Sequence, residues 1–590
     1  MKHLSRLALA VPMLVASGAL GLACFTSSGG GTGSVDSGLP DVVFDGFAAD
    51  TTLPEEASAD APQEALLDSS VEASGDTGPL PEAGNDGTVV EAGTDAALDA
   101  AADAPVLGAT FYVDPANGID TNDGSMGAPF QSIAHAAQII NTVDAGSGPN
   151  TLYLADGTYS ATNQPSAGLQ VSFTKTTFVR GSAPGNVIIL GQGPAGMQEG
   201  LTFQQGGGVL NVTFKNTWYG VEAIHGTFSV AGCTFDGAGG GGYFAGFIND
   251  TVGTFDTTGS VTLQNLTGTA LGAIYVDNTA KVSWIGGGTT SITGGGPSID
   301  VVFMRGGAQL TIDGVTLTSY LGYFLVGYDQ SNVTVKNSTF TGSGCNCGLQ
   351  TAGVFYLGAS QSGAPAPSLT LNNTTITGSQ GNAVAFQIQG NTASVSFNAT
   401  GSHLDGSTLA GIWVAGIPNA GVAVNVTATS TTFNGNGLPG IYAPRATVSL
   451  SGAGSSVSTN GALAASHGET SGGIVVTDAT SVNSVTLRGV AMGGNTGNQI
   501  SFTGTAASIL DLGTSASPGG LVFSNVPAGV GASAVALSAL IPATAIGNTW
   551  MPNVQGANAS GLYTTTTTIS GAAVGLNVTE PAGASVVMAP

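Results

Sequence analysis

From residue 228 onward, short segments of this chain alternate apolar and polar positions, break for two residues, and alternate again. Clear copies are FSVAGCTF (228–235), LTIDGVTL (310–317), VTVKNSTF (333–340), LTLNNTTI (369–376) and VTLRGVAM (485–492). A period of two sends successive side chains to opposite sides of a strand, and Val, Ile, Thr and Phe suit such a surface. The breaks often hold Gly or Asn, which turn the backbone easily. Looser copies begin at Val261, Val282, Val395, Val424 and Val448. Counted from the first apolar residue of each copy, the shortest intervals are 21, 23 and 24 residues, and the longer ones have room for loop insertions.

Self-similarity in this range marks a solenoid. A coil in the low twenties holds about three short strands and three turns, and stacked coils pair each strand in parallel with the next at about 4.8 Å. Leucine-rich repeats would show recurrent Leu and Asn, which these segments lack. The pattern predicts an all-β chain, a right-handed parallel β-helix over 161–550.

A different period precedes it. In FQSIAHAAQII (130–140), apolar residues at 130, 133, 136, 137 and 140 mark one helical face, with Ser132 or Asn141 placed to serve the ends. A solenoid needs its first coil covered, because an open strand edge over an apolar core invites aggregation. Residues 108–160 are therefore expected to cap the solenoid with a helix, followed by the strand TLYLADGTY (151–159). Residues 551–590 read as a second cap or a tail.

Composition adds the setting. Charged residues are only 8% of the 590, against about 25% in ordinary chains, so backbone hydrogen bonds must carry most polar satisfaction. Glycine, at 93, is about twice its usual share and has no triplet period, which assigns it to turns. Between Phe25 and Gly108 there are 17 acidic residues and no Lys or Arg. That low-hydrophobicity stretch, 25–107, is expected to be a disordered tether. A net charge of −26 excludes nucleic acid as a partner, since phosphate binding needs clustered Lys and Arg.

The first 24 residues have a basic start (Lys2, Arg6), an apolar middle and small residues before Cys24, the layout of an export signal. LGLAC (20–24) resembles a bacterial lipoprotein box, with Gly21 where Leu is commonest. The resemblance implies lipidation of Cys24, a membrane anchor, and sorting to the outer membrane or cell surface; the alternative is an ordinary cleaved signal and a secreted protein. FYVDPANGIDTNDGSMGAPFQSIAHAAQII (111–140) with TLYLADGTYS (151–160) resembles the start of exported bacterial pectate-lyase-like β-helix proteins, in particular a domain of unknown function at the head of such chains. That superfamily implies an extracellular polysaccharide as ligand.

Two sets of residues could carry chemistry. Aligned on the repeat, Asp256, Asp277, Arg305 and Tyr328 each stand five residues before a copy, at Val261, Val282, Leu310 and Val333. That spacing predicts one column on successive coils. Paired carboxylates there could serve glycoside hydrolysis as acid and base; a carboxylate pair beside an Arg could instead hold calcium and abstract a proton from a uronic acid. The Asp–His pattern of pectate lyases and the paired-Asp block of galacturonases are missing. Asp114, Asp120 and Asp123 offer oxygens in a Gly-rich loop that could bind Ca2+, or act as turn-formers. Cys345 and Cys347 could pair, since export permits a disulfide, or hold a metal, but with Cys233 they lack zinc-like spacing and read as buried or turn residues. Most aromatics are expected in the core, with some of Trp218, Tyr219, Tyr243, Phe244, Trp284, Tyr320, Tyr323, Phe324, Tyr328 and Trp413 left to meet sugar rings. The expectation is a monomeric surface protein that binds or processes an extracellular polysaccharide, lyase and hydrolase both open. The alternative is a non-enzymatic adhesin or spacer meeting a cell-surface ligand.

Overall fold

The chain winds through three faces in a fixed order: face one, a corner, face two, a corner, face three, and back. This computed structural model describes residues 108–550 except 143–147, 165–168, 193–199, 218, 238–245, 250, 257–261, 267–272, 278, 286–290, 295–299, 329, 346–351, 360–365, 389–393, 417–423, 465–470, 515, 525–534, 538–542 and 547, together with 578–579 and 586–589. The export signal, Cys24, the tether, Cys347, Trp218, Tyr243 and Phe244 lie outside the described residues. The described residues all belong to one unit, Gly93–Pro590.

Face one is a sheet of 17 strands among the described residues, from Thr110–Val113 to Val586–Ala589, and face three has 15, from Gln170–Phe173 to Val578–Thr579. Face two is broken into sheets of 6, 4 and 4 strands, the last two linked by single bridges from His403 through Thr432 to Ser456. The strand pairings are parallel throughout. This is a parallel β-helix, in the right-handed sense that parallel crossovers take almost without exception. Residues 578–579 and 586–589 continue the sheets of faces three and one.

The two-residue breaks are the corners between faces one and two. Each is turned by one residue of positive φ: Gly314 (φ 73), Asn337 (φ 47), Asn373 (φ 49), Gly401 (φ 59) and Gly489 (φ 66). Most side chains are strained there by about 1–2 kcal/mol, Gly and Asn least, which is why those two recur. After Asn337, Asn373 and Gly401 the following residue, Ser338, Thr374 or Ser402, puts a hydroxyl inside the corner. Ser338 Oγ accepts the Val315 N–H of the previous coil at 3.1 Å and donates to the Lys336 carbonyl at 2.6 Å. At the next corner, buried Asn436, Asn460 and Asn495 form a ladder in which each Oδ1 accepts a backbone N–H from the coil before, at 2.9 Å. Backbone groups that no strand can satisfy are met this way.

Inward positions hold the core. Val282, Leu310, Val333 and Leu369 stand opposite one another on face one. Phenylalanines meet from coil to coil: Phe214 and Phe235 stack with ring centroids 5.2 Å apart, and Phe324 packs at a tilt on Phe340 at 4.8 Å. Each fully buried ring contributes roughly 1.5–3 kcal/mol. Outward on face one runs the column Ser283, Thr311, Thr334, Thr370, Asn398, Thr427, Ser449, Thr486.

The helix Ile133–Thr142 buries Ile133, Ala134, Ala136, Ala137 and Ile140 over the first coil. Ser132 Oγ accepts the His135 N–H at 3.1 Å and Gln164 Oε1 accepts that of Ile133 at 2.8 Å, capping the N-terminus. At the other end Asn141 bonds Ser172 and Thr174 across 31 and 33 residues. Among the described residues no helix is long and apolar enough to cross a membrane.

Candidate functional site

Three of the four column residues come together on the outer side of face three. The strand Ile274–Asp277 pairs Val276 with Met304 of Val302–Met304, and Met304 pairs with Gly327 of Leu325–Tyr328. One step on, Asp277, Arg305 and Tyr328 follow in the same register. The side chains of Ile274, Val276, Val302 and Met304 join the core, so their alternates point outward.

Asp256 is not in this column. It ends the face-one strand Thr251–Asp256, opposite Ala231 and Ile285, and the residue opposite Asp277 on its coil is Asn249. The repeat mark placed at Val261 precedes a face-two strand, Thr262–Leu266. At the true face-one position stands Gly253, opposite Phe228 and Val282, and a glycine gives no apolar signal. The proposed carboxylate pair is therefore not assembled; for Asn249 and Asp256 the backbone alone is described.

Arg305 and Asp277 form the centre of what remains. Nε and Nη2 of Arg305 both donate to Oδ2 of Asp277, at 3.0 and 2.8 Å, and the Tyr275 hydroxyl donates to the same oxygen at 3.2 Å. The guanidinium lies 5.3 Å from the Tyr275 ring centroid. Hydrogen bonding to Asp277 holds the Arg305 guanidinium above its usual range, fixing the charge. Asp277 is 9% exposed and Arg305 56%, so the cation is presented to solvent on a buried anion.

An aromatic cluster, outside the core, borders the pair. Tyr275, Phe303, Val326, Tyr356 and Ala385 follow one another in register, with Tyr219, Tyr323 and Tyr328 packed against them. Tyr275 and Phe303 stack at 5.3 Å, and Tyr328 meets Phe303 at 5.7 Å and Tyr356 edge-on at 5.8 Å. Tyr356 donates to Gln387. Burial first, then Tyr328, drives the Tyr356 phenol far above its ordinary range, so it acts as a neutral donor. In register with Tyr275 on an earlier coil, Glu222 accepts from Thr202 at 2.8 Å, and Thr202 meets the Tyr219 hydroxyl at 3.1 Å. Tyr275, Tyr356, Gln387 and Glu222 escaped the sequence reading. Counting two residues back from each column member would have found Tyr275.

The calcium loop does not gather its carboxylates. Asp114 Oδ1 accepts the N–H groups of Ala116 and Asn117, Asp120 Oδ1 those of Gln131 and Ser132, and Asp123 Oδ1 that of Ser125. They are turn-formers that fix the loop beneath the helix, and no group of three or more metal-binding side chains occurs among the described residues. The residues present do not fit the ion. Cys233 is a buried free thiol, pushed up to about 12 by burial, and Cys345 is buried as well and disulfide-bonded. Trp284, Tyr320 and Phe324 are core residues, while Trp413 stacks on Tyr442 at 4.0 Å on the outer side of face three.

No protein-family model and no curated protein matches the chain. Among solved structures it is similar to the A-module of a mannuronan C-5 epimerase of Azotobacter vinelandii, at 14% identity over 78% of this chain and 96% of that one, with a TM-score of 0.24. Tailspike protein 3 of bacteriophage CBA120 aligns at 11% identity over 75% of this chain and 61% of that one, TM-score 0.31. A rhamnogalacturonan lyase aligns at 11% identity over 72% and 84%, TM-score 0.18. At such values the alignments decide nothing about chemistry. The parallel β-helix rests on the strand register itself.

Proposed function

We propose that this is an exported surface protein, anchored through a lipid on Cys24, whose face three binds or processes an extracellular polysaccharide. The supporting observation is the Arg305 guanidinium, held by Asp277 and Tyr275 yet open to solvent beside an aromatic cluster. Two of its five N–H groups go to Asp277, leaving three for a ligand. Sugar hydroxyls and carboxylates accept such donors, and Tyr328 stands one strand further on. Asp277 positions Arg305. With one carboxylate in the column and its Oδ2 taken by three donors, two-carboxylate hydrolysis has less support than proton abstraction beside a neutralised acid group.

A depolymerisation screen tests this. Full-chain protein is offered pectin, alginate, glycosaminoglycans and neutral glycans, with and without calcium, following reducing ends and the absorbance of unsaturated products. Activity lost in Arg305→Ala with folding intact would support an enzyme; new absorbance would mean a lyase, reducing ends alone a hydrolase. Retention on one immobilised glycan without turnover would mean binding. Silence in both would favour the second reading, an adhesin or spacer, which draws on the uncharged Ser, Thr and Asn column of face one. Cys24→Ala should release the protein from the membrane fraction.

A further inference from the structure

Face two carries a cluster unrelated to face three. His403 and Asp405, in the strand His403–Asp405, lie two residues apart and so on the same side of it; His403 bridges in register to Thr432 of the next coil. The Thr432 hydroxyl donates to Asp405 Oδ2 at 2.7 Å and lies 2.8 Å from His403 Nδ1. Asp405 is itself held, its Oδ1 accepting the Asn434 N–H at 2.7 Å.

These contacts set the tautomer. A hydroxyl whose proton goes to a carboxylate can only accept from the imidazole, so Nδ1 carries the hydrogen and Nε2 the lone pair. His403 is 50% exposed, and no described protein group bonds Nε2. The imidazole is thus an oriented base facing solvent, steadied through Thr432 by a carboxylate. Its surroundings are neutral: Thr375 and Thr377 stand opposite His403 and Asp405 on the preceding strand, and Ser456 follows Thr432. Asp405 is the one charged group on these strands.

We propose that His403 is the general base of a second active site, one that hydrolyses esters borne by uncharged molecules, such as O-acyl groups on a glycan. Nε2 takes a proton from water while the water oxygen bonds to the ester carbonyl carbon. The carbonyl C–O bond to the alcohol then breaks, and the leaving oxygen takes that proton back from the imidazolium, giving acid and alcohol. The Thr375 hydroxyl, one strand away, has no protein partner among the described residues and is placed to donate to the carbonyl oxygen. Glycosidic cleavage is disfavoured because the cluster has a single carboxylate, already bonded twice. Anionic substrates are disfavoured because no cation stands beside it. Thr432 and Asp405 are positioning residues. The proposal does not depend on the reading of face three.

The test uses the full chain with p-nitrophenyl acetate and an O-acetylated neutral xylan, following nitrophenolate and free acetate. The wild type should exceed free imidazole at equal concentration on both. His403→Ala should lose about a hundredfold. Thr432→Val should lower kcat about tenfold at unchanged KM, with recovery in Thr432→Ser, which keeps the hydroxyl. His225→Ala, an exposed histidine without such a relay, should leave the rate as it was. A wild-type rate no greater than that of imidazole, or full activity in a folded His403→Gln, would overturn the proposal. So would equal losses in His225→Ala and His403→Ala.

Discussion

Faces one and three are made by the same coils in the same kind of register, and differ in what they turn outward. Along its middle column face one shows Ser, Thr and Asn from Ser283 to Thr486, residues that a half-exposed pleated surface accepts without special arrangement. Face three shows Glu222, Tyr275, Asp277, Arg305 and Tyr356, and buries Tyr275 and Tyr356 to 3% and 6% exposure on the side away from the core. The fold constrains only the inward positions. The outward ones are free to be bland, so where they are not, something other than the fold has selected them.

One core lies beneath both faces. Phe324→Ala, which empties a fully buried site packed against Phe340 and edge-on to Phe355, should cost about 3–5 kcal/mol in denaturant unfolding. A much smaller loss would mean that the coils do not share a core. Asp478→Ala should cost about 3 kcal/mol, because it takes the carboxylate from the buried Arg445 guanidinium in the corner that carries the chain back to face one.

Two carboxylates should bend the pH curve in opposite senses. Burial raises Asp478, but Ser481, Thr480 and Arg445 outweigh it and hold the group below the usual range. Its contribution is complete above the unfolded value of about 4 and is lost as pH falls below that towards the folded value. Asp300 is pushed up to about 8 by burial, so it keeps its proton when the unfolded chain has lost one. Stability should fall as pH rises from about 4 to about 8 on its account. Melting temperatures against pH for Asp478→Asn and Asp300→Asn should each remove one slope.

The faces themselves separate at smaller effects. Arg305→Ala should weaken retention on the responsive glycan about tenfold while costing about 1–3 kcal/mol in stability, since it takes the cation from a carboxylate only 9% exposed. Thr334→Ala on face one should stay within about 0.5 kcal/mol and leave retention unchanged. Loss of retention in Thr334→Ala would put the ligand on face one and break the comparison.

The corners were readable because a positive φ admits few residues: Gly314, Asn337 and Asn373 announce themselves. The register through Val282, Leu310 and Val333 was readable because all three are apolar and inward. It failed one coil earlier, where Gly253 fills the same position without a side chain and the next apolar run belongs to another face. The aromatic cluster was hidden for a related reason. Tyr275 and Phe303 look like core residues in sequence, and only the alternation from Val276 and Met304 shows that they point outward. The His403 relay joins residues 29 apart whose pairing depends on a single bridge, and no local pattern marks it.

The parallel ladders also decide how the molecule would bear load. Among the described residues the strand ladders between coils run along the axis, and each coil pairs with its neighbours. A pull applied at one end meets a single coil's few bonds at a time, so the solenoid would peel turn by turn instead of shearing as a block. A chain drawn taut by its ligand would lengthen in steps, and its resistance would depend on the weakest corner rather than on how many coils it has.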